Sequence, residues 1–223
     1  MSRPRAAAWL RAASTLLGNK AAGGGGAIYD FSAVGEELAG SVVEGNSARD
    51  GGGIWFSPDS GMDIANDTIS DNTASADGGG IAAVNFVGMS LRDSTITHNR
   101  AAAAGGGVYA EIGNREIITG SELVANSAHD GGGIFGAFID GAALTGTKII
   151  KNNAIASGGG VYLSGILDEW TAEDSKIIAN MAGNVGGGVF DTGYMTVTLT
   201  NSAVWANKPT NCAPPGSVAG CTG

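Results

Sequence analysis

The stretch Gly78–Ala83, "GGGIAA", decides the fold, because near-copies of it recur along the chain. Each copy places three adjacent glycines before an isoleucine or a valine. The copies are Gly51–Phe56 (GGGIWF), Gly78–Ala83 (GGGIAA), Gly105–Ala110 (GGGVYA), Gly131–Gly136 (GGGIFG), Gly158–Leu163 (GGGVYL) and Gly186–Asp191 (GGGVFD). The last glycines of these triplets are separated by 27, 27, 26, 27 and 28 residues. A fixed period of this size is typical of a repeat architecture.

A column of asparagines marks the same period a second time. Its members are Asn19, Asn46, Asn72, Asn99, Asn126, Asn152, Asn180 and Asn207. An apolar residue stands three positions before each of them, and a small polar residue or Asp67 stands five positions before. Positions that differ by two point to the same face of a strand, whereas helical repeats space apolar residues by three and four. Each copy therefore consists of short strands.

These two columns together predict an all-β protein. Turns fall at the asparagine and at the glycine triplet, and three strands per turn of about 27 residues are typical of a parallel β-helix, or solenoid. Equivalent residues of successive coils would then stack about 4.8 Å apart. We expect the apolar columns to stabilise the fold. The asparagine ladder is expected to be a structural feature that keeps the register between coils.

The repeat also predicts the domain organisation. Residues 14–208 would form a single body of about eight coils. Residues 1–13 would form a short N-terminal capping helix, or else be the remnant of a leader or a truncated start. Residues 209–223 would form a C-terminal tail. An uncovered last rung would favour end-to-end association, although the oligomeric state cannot be predicted.

Composition excludes several classes of function. A net charge of −9 over 223 residues argues against nucleic-acid binding, which needs a basic surface. The chain has no apolar run of about 18 residues, so we expect no transmembrane helix. It also has no clear signal peptide, since Arg11 interrupts the apolar part of the N-terminus.

The repeat units resemble those of a known family. The alternation of "GGGI" or "GGGV" with an apolar-x-x-Asn unit, as in "ITHN" and "IIAN", is similar to the repeats of chlamydial polymorphic outer-membrane proteins. It also resembles right-handed parallel β-helix proteins of the pectate-lyase-like group. The resemblance implies a single-stranded, right-handed solenoid. It does not imply one activity, because this scaffold carries lyases, hydrolases, adhesins and surface rods.

The two cysteines, Cys212 and Cys221, lie on either side of Pro214-Pro215-Gly216. We expect a disulfide that closes this short loop, which would indicate an oxidising compartment. The alternatives are two free thiols or, less consistent with the absence of a nearby histidine, a metal site. The expected location is therefore outside the cell or at the cell surface.

A column of mostly aromatic residues follows the β-branched position of each coil. Its members are Trp55, Ala82, Tyr109, Phe135, Tyr162 and Phe190. If the β-branched residue points inward, these side chains point outward as a ladder. The five aromatic residues are a candidate ligand-binding stripe, on which sugar rings would stack. The alternative is that the rings only support the sheet across its rungs.

No catalytic constellation is evident. Asp168, Glu169, Glu173 and Asp174 are the densest acidic group, and a solvated loop or a weak calcium site are both compatible with it. Asp50, Asp77 and Asp130 precede their triplets and are expected to cap turns. His98 and His129 lie in turns on different faces. We therefore predict no metal ligands and no cofactor, apart from that weak possibility of calcium.

The leading hypothesis is a secreted or cell-surface structural and binding rod, adhesin-like, that recognises a polysaccharide or a cell-surface glycan along the aromatic stripe. The alternative hypothesis is a polysaccharide lyase or glycoside hydrolase that acts on an acidic polysaccharide. The sequence favours the first, because an aromatic column is present without a matching set of acids and bases.

Overall fold

The computed structural model describes residues 13–31, 36–57, 61–165, 169–193 and 195–221. These residues form three parallel β-sheets and contain no helix. The predicted all-β solenoid is confirmed. The N-terminal capping helix predicted for residues 1–13 lies almost entirely outside the described residues.

The strands divide among the sheets as follows. Sheet 1, which precedes the asparagines, contains Thr15–Leu17, Val42–Glu44, Thr68–Ser70, Thr95–Thr97, Glu122–Val124, Lys148–Ile150, Lys176–Ile178 and Ala203–Trp205. Sheet 2 contains Ile28–Phe31, Glu36–Ala39, Ile54–Ser57, Met62–Ala65, Ile81–Val84, Val87–Arg92, Val108–Thr119, Ile134–Asp140, Ala142–Thr145, Val161–Ser164, Glu169–Glu173, Val189–Asp191, Thr196–Thr200, Cys212–Ala213 and Val218–Ala219. Sheet 3, which follows the asparagines, contains Ser47–Ala48, Thr73–Ala74, Arg100–Ala101, Ser127–Ala128, Asn153–Ala154 and Met181–Ala182.

The eight strands of sheet 1 are stacked in chain order, so about seven full turns separate the first from the last. This is slightly fewer than the eight coils expected from the sequence, because eight rungs delimit seven turns. Each coil runs from sheet 1 through the asparagine turn and sheet 3 to the glycine triplet, and then across the broad sheet 2. Equivalent residues pair in register, for example Thr68 with Thr95 and Ile81 with Val108.

The interior is filled by the apolar columns, as the alternation of the strands requires. The residues three before each asparagine are fully buried from Val43 through Ile177. They meet the first residue after each triplet, such as Ile81 and Val108, and the column of sheet 2 that includes Leu91 and Ile118. Burial of each such side chain contributes roughly 1.5–3 kcal/mol, so this core is the main source of stability.

Each glycine of a triplet is needed for a different reason. Gly78 has a φ of +66°, a conformation that side chains rarely adopt. A Cβ at Gly79 would collide with the backbone of Gly106 and Arg100 in the next coil. A Cβ at Gly80 would lie 2.7 Å from the carbonyl oxygen of Gly107. The triplet is therefore the place where one coil packs directly on the backbone of the next.

The asparagines form a continuous ladder, and at its interior rungs every side-chain group has a partner. Asn99 donates its Nδ2 to Asn126 Oδ1 at 3.0 Å and to the carbonyl oxygen of Ile69 at 2.9 Å. Its own Oδ1 accepts from the backbone N–H and from Nδ2 of Asn72. The same four bonds recur at the other interior rungs, so the ladder satisfies buried turn groups that would otherwise be costly. At its end, Asn207 donates to Oδ1 of Asn211, which takes the place of a next-coil asparagine.

The C-terminal tail covers part of the last coil. Cys212–Ala213 pairs with Val189–Asp191, and Val218–Ala219 pairs with Thr196–Thr200, so both halves of sheet 2 gain a final strand. Cys212 and Cys221 form the predicted disulfide, with their Cα atoms 6.3 Å apart. Within the described part of the chain, no helix is long and apolar enough to cross a bilayer.

Candidate functional site

The predicted aromatic stripe lies on the outer face of sheet 2, and its rings are partly buried. Tyr109, Phe135 and Tyr162 stack nearly parallel, with centroid distances of 5.2 and 4.8 Å. Phe190 continues the stack at 5.0 Å with a tilted ring. At the other end, Trp55 stacks on Tyr29 at 4.5 Å. The sequence prediction did not include Tyr29, which occupies the same register as Trp55.

This stacking limits which faces of the aromatic stripe a ligand can reach. A sugar ring binds to the open face of an aromatic ring, yet the faces inside the two stacks are already covered by neighbouring rings. The interior rings therefore support the sheet across its rungs. The column is interrupted only at Ala82, which pairs with Trp55 on one side and with Tyr109 on the other. The free faces of Trp55 and Tyr109 both lie next to this rung.

A surface cleft of about 260 Å³ opens at the interruption. Its walls include the two aromatic rings, and Ala82 is the fully buried residue beneath them. The remaining lining residues come from the turn before each triplet and from the next outward position of sheet 2. They are Arg49, Asp50, Asp77, Val84 and Glu111. We call this feature the ladder cleft.

The ladder cleft is electrostatically negative. Its lining carries three carboxylates and one guanidinium, which leaves two net negative charges. Arg49 bonds Asp50 at 3.1 Å, and the phenol of Tyr109 donates to Glu111 at 2.8 Å. Burial raises the pKa of the Tyr109 phenol above its ordinary value, and the charges of Glu111, Asp77 and Asp50 raise it further. Burial is the largest cause of the raised pKa of Asp77, and the charges of Asp50 and Glu111 raise it further.

The aspartates before the triplets bond backbone amides of the following coil. Asp77 accepts from the N–H of Ala104 at 3.0 Å, and Asp130 accepts from the N–H of Ser157 at 3.0 Å. Each thus caps a turn through one carboxylate oxygen, and the second oxygen of Asp130 pairs with the ring of His129. The described residues contain no group of three or more His, Cys, Asp or Glu that could hold a metal ion.

The other acidic and histidine residues singled out in the sequence do not assemble into a site. Asp168 lies outside the described residues, and Glu169, Glu173 and Asp174 are exposed. The Nδ1 of His98 shares a hydrogen bond of 2.9 Å with the hydroxyl of its neighbour Thr97. The Nδ1 of His129 lies 2.9 Å from a carboxylate oxygen of Asp130. Both histidines are turn residues.

Sequence reasoning singled out the two rings and, as turn caps, Asp50 and Asp77, but it missed Glu111 and the assembly of these residues into a cleft. Glu111 lies two residues after Tyr109, so the alternation of the strand places both side chains on the outer face. This signal was present in the sequence. The sequence did not show that the cleft lies at Ala82, because only the stacking of the rings reveals which aromatic faces remain free.

Comparison with known protein families finds similarity near the start of the described chain. Residues 13–30 match the repeat described as "Chlamydia polymorphic membrane protein (Chlamydia_PMP) repeat". The matched stretch includes strand Thr15–Leu17 and Asn19, the first member of the asparagine ladder. The similarity to these repeats is thus confirmed, while the pectate-lyase-like grouping stays a prediction. No curated protein and no solved structure is significantly similar to the chain.

Proposed function

We propose that the chain is a non-enzymatic binding solenoid, displayed outside the cell, whose ligand surface is the aromatic face of sheet 2. The observation that carries this proposal is the ladder cleft, where two aromatic faces lie free on a rigid scaffold. The disulfide supports an oxidising location. The name of the matched repeat, which refers to a membrane protein, supports a location at a cell surface.

Display outside the cell is tested on intact cells that express the protein. We expect antibodies to label the cell surface or the medium, and we expect added protease to remove the surface signal. A cytoplasmic marker protein is the control for cell integrity. Detection of the chain only after lysis would contradict the proposed location.

Binding is tested with the purified chain on a glycan array and on cultured cells. If the free aromatic faces of the ladder cleft bind the ligand, replacing Trp55 and Tyr109 together by alanine reduces binding at least roughly tenfold. A matched double substitution on sheet 1, at Val124 and Ile150, leaves it unchanged. Equal binding by the wild-type chain and the aromatic variant would contradict this surface.

The absence of enzymatic activity is tested separately. The chain is incubated with pectate, alginate and glycosaminoglycans, with and without calcium, and product release is measured. We expect none, since the acidic lining of the ladder cleft repels anionic polymers. Release of unsaturated or reducing ends would support the lyase or hydrolase hypothesis instead.

A further inference from the structure

The ladder cleft lies at the rung of Ala82, where the aromatic column has no ring. Trp55 and Tyr109 are two rungs apart, so their backbones are separated by about 9.6 Å. Each ring already packs on one aromatic neighbour, Tyr29 or Phe135, and presents its second face toward the rung of Ala82. A planar group placed between them would have about the same spacing as the natural stack, and the cleft volume of about 260 Å³ admits a single side chain.

The charge of the lining selects among planar groups. Asp50, Asp77 and Glu111 outnumber Arg49, the basic residue of the lining, and the field they produce is strong enough to contribute to the raised pKa of the Tyr109 phenol. An anionic or neutral sugar gains nothing from this field, whereas a cation is attracted by both the carboxylates and the aromatic faces. Arg49 illustrates the preference, because its own guanidinium bonds Asp50 at the rim.

We propose that the ladder cleft binds the guanidinium of an arginine side chain presented by a basic peptide segment of a partner protein. This proposal rests on the binding function proposed above and specifies the class of partner that the protein binds. A guanidinium is planar, stacks on aromatic faces and donates to carboxylates in fixed directions. In this arrangement Trp55 and Tyr109 hold the group, and Asp77 and Glu111 accept from it. Ala82 keeps the rung vacant.

The test measures fluorescence anisotropy of three labelled peptides at low ionic strength. One carries two arginines separated by glycine, the second replaces them with lysine, and the third replaces them with citrulline, which is planar but neutral. We expect the arginine peptide to bind most tightly and the lysine peptide to bind roughly three- to tenfold more weakly. The citrulline peptide should not bind measurably.

Three variants locate the site. Ala82→Phe completes the stack, as phenylalanine or tyrosine does in five other coils, and should reduce affinity for the arginine peptide at least about tenfold. Asp77→Asn keeps the acceptor for the Ala104 amide and should reduce affinity roughly two- to fivefold. Asp130→Asn is the same change two coils away and should have no effect. Circular dichroism shows that each variant is folded.

Equal affinity for the arginine and citrulline peptides would overturn the proposal. So would retained binding by folded Ala82→Phe, or equal losses in Asp77→Asn and Asp130→Asn. If the arginine peptide fails to bind while the chain still binds cells or glycans through its aromatic face, only the arginine assignment is wrong. If both kinds of binding are absent, the proposed function is wrong as well.

Discussion

At the scale of single residues, Glu116 lies in the core beside Met89 of the preceding coil, and its side chain is only 3% exposed. Its Oε1 has no hydrogen-bond partner. Burial raises its pKa from 4.5 to about 7. The unfolded chain therefore loses this proton at lower pH than the folded chain. Its contribution to stability is fully present below pH 4.5 and is lost as the pH rises to about 7.

Glu116→Met tests this pH dependence, because methionine already occupies the same inward position at Met62 and Met89. Above pH 7 we expect the free energy of unfolding to rise by on the order of 3 kcal/mol, since one pKa unit corresponds to about 1.4 kcal/mol. Much less of the gain should remain at pH 4.5. Denaturation by urea at several pH values measures it, and Glu169→Met, at an exposed position of sheet 2, is the control. Parallel pH curves for wild type and Glu116→Met would contradict the prediction.

Asp67 is the one carboxylate in a second ladder, where other coils place serine or threonine. Its oxygens accept from the amides of Ser41 at 2.6 Å and Ala65 at 2.9 Å. Burial nevertheless raises its pKa, and these two bonds oppose the shift only in part. The ionised form is thus unfavourable in the folded state, and its cost appears as the pH rises above 3.8.

We expect Asp67→Ser to increase the free energy of unfolding at pH 7 by about 1 kcal/mol, because a hydroxyl makes the same ladder contact without charge. Thermal unfolding of the variant measures the gain. The reverse change, Ser94→Asp in the next coil, should be destabilising. A loss of stability in Asp67→Ser at neutral pH would show that the two amide bonds outweigh burial.

At the scale of elements, the asparagine ladder contributes more to the free energy of unfolding at its interior rungs than at its end. Asn126→Ala leaves the backbone N–H and Nδ2 of Asn99 and the carbonyl of Ile96 without their partner. We expect a loss on the order of 3–5 kcal/mol, since each buried group left unpaired costs about 1–3 kcal/mol. Asn19→Ala, at the exposed first rung, should cost less than about 1 kcal/mol, because the backbone N–H of Asn19 still bonds Asn46. Urea denaturation compares the two, and similar losses would argue against the ladder as a cooperative element.

The elements also show which features a sequence can predict. The asparagine and glycine columns were predictable, because a period of about 27 residues makes every backbone requirement recur in register. The buried Glu116 was predictable in principle, since it stands two residues before the apolar Ile118 on the same strand. The termination of the ladder by Asn211 was not, because Asn211 follows Asn207 by only four residues and so breaks the period. The ladder cleft depends on ring orientation, about which the residue types carry no information.

At the scale of the whole molecule, each coil contacts mainly the coils before and after it. Stability in such a solenoid is approximately a sum of coil and neighbour terms, so a local change acts locally. The disulfide between Cys212 and Cys221 closes a loop at one end, where the tail supplies the final strands of sheet 2. Its effect should therefore be confined to the last coils.

Replacing both Cys212 and Cys221 by serine tests this locality. The loop-entropy estimate for so short a loop is about 2–3 kcal/mol. We expect hydrogen exchange to become faster by the corresponding factor in strands Val218–Ala219 and Thr196–Thr200, which the tail joins. The central strands Thr68–Ser70 and Thr95–Thr97 should keep their protection. Ser217→Ala, which removes the bond from Ser217 Oγ to Pro214 but keeps the disulfide, is the control within the same loop. Faster exchange in every coil would show that the solenoid unfolds as one cooperative unit, and the nearest-neighbour description would then be wrong.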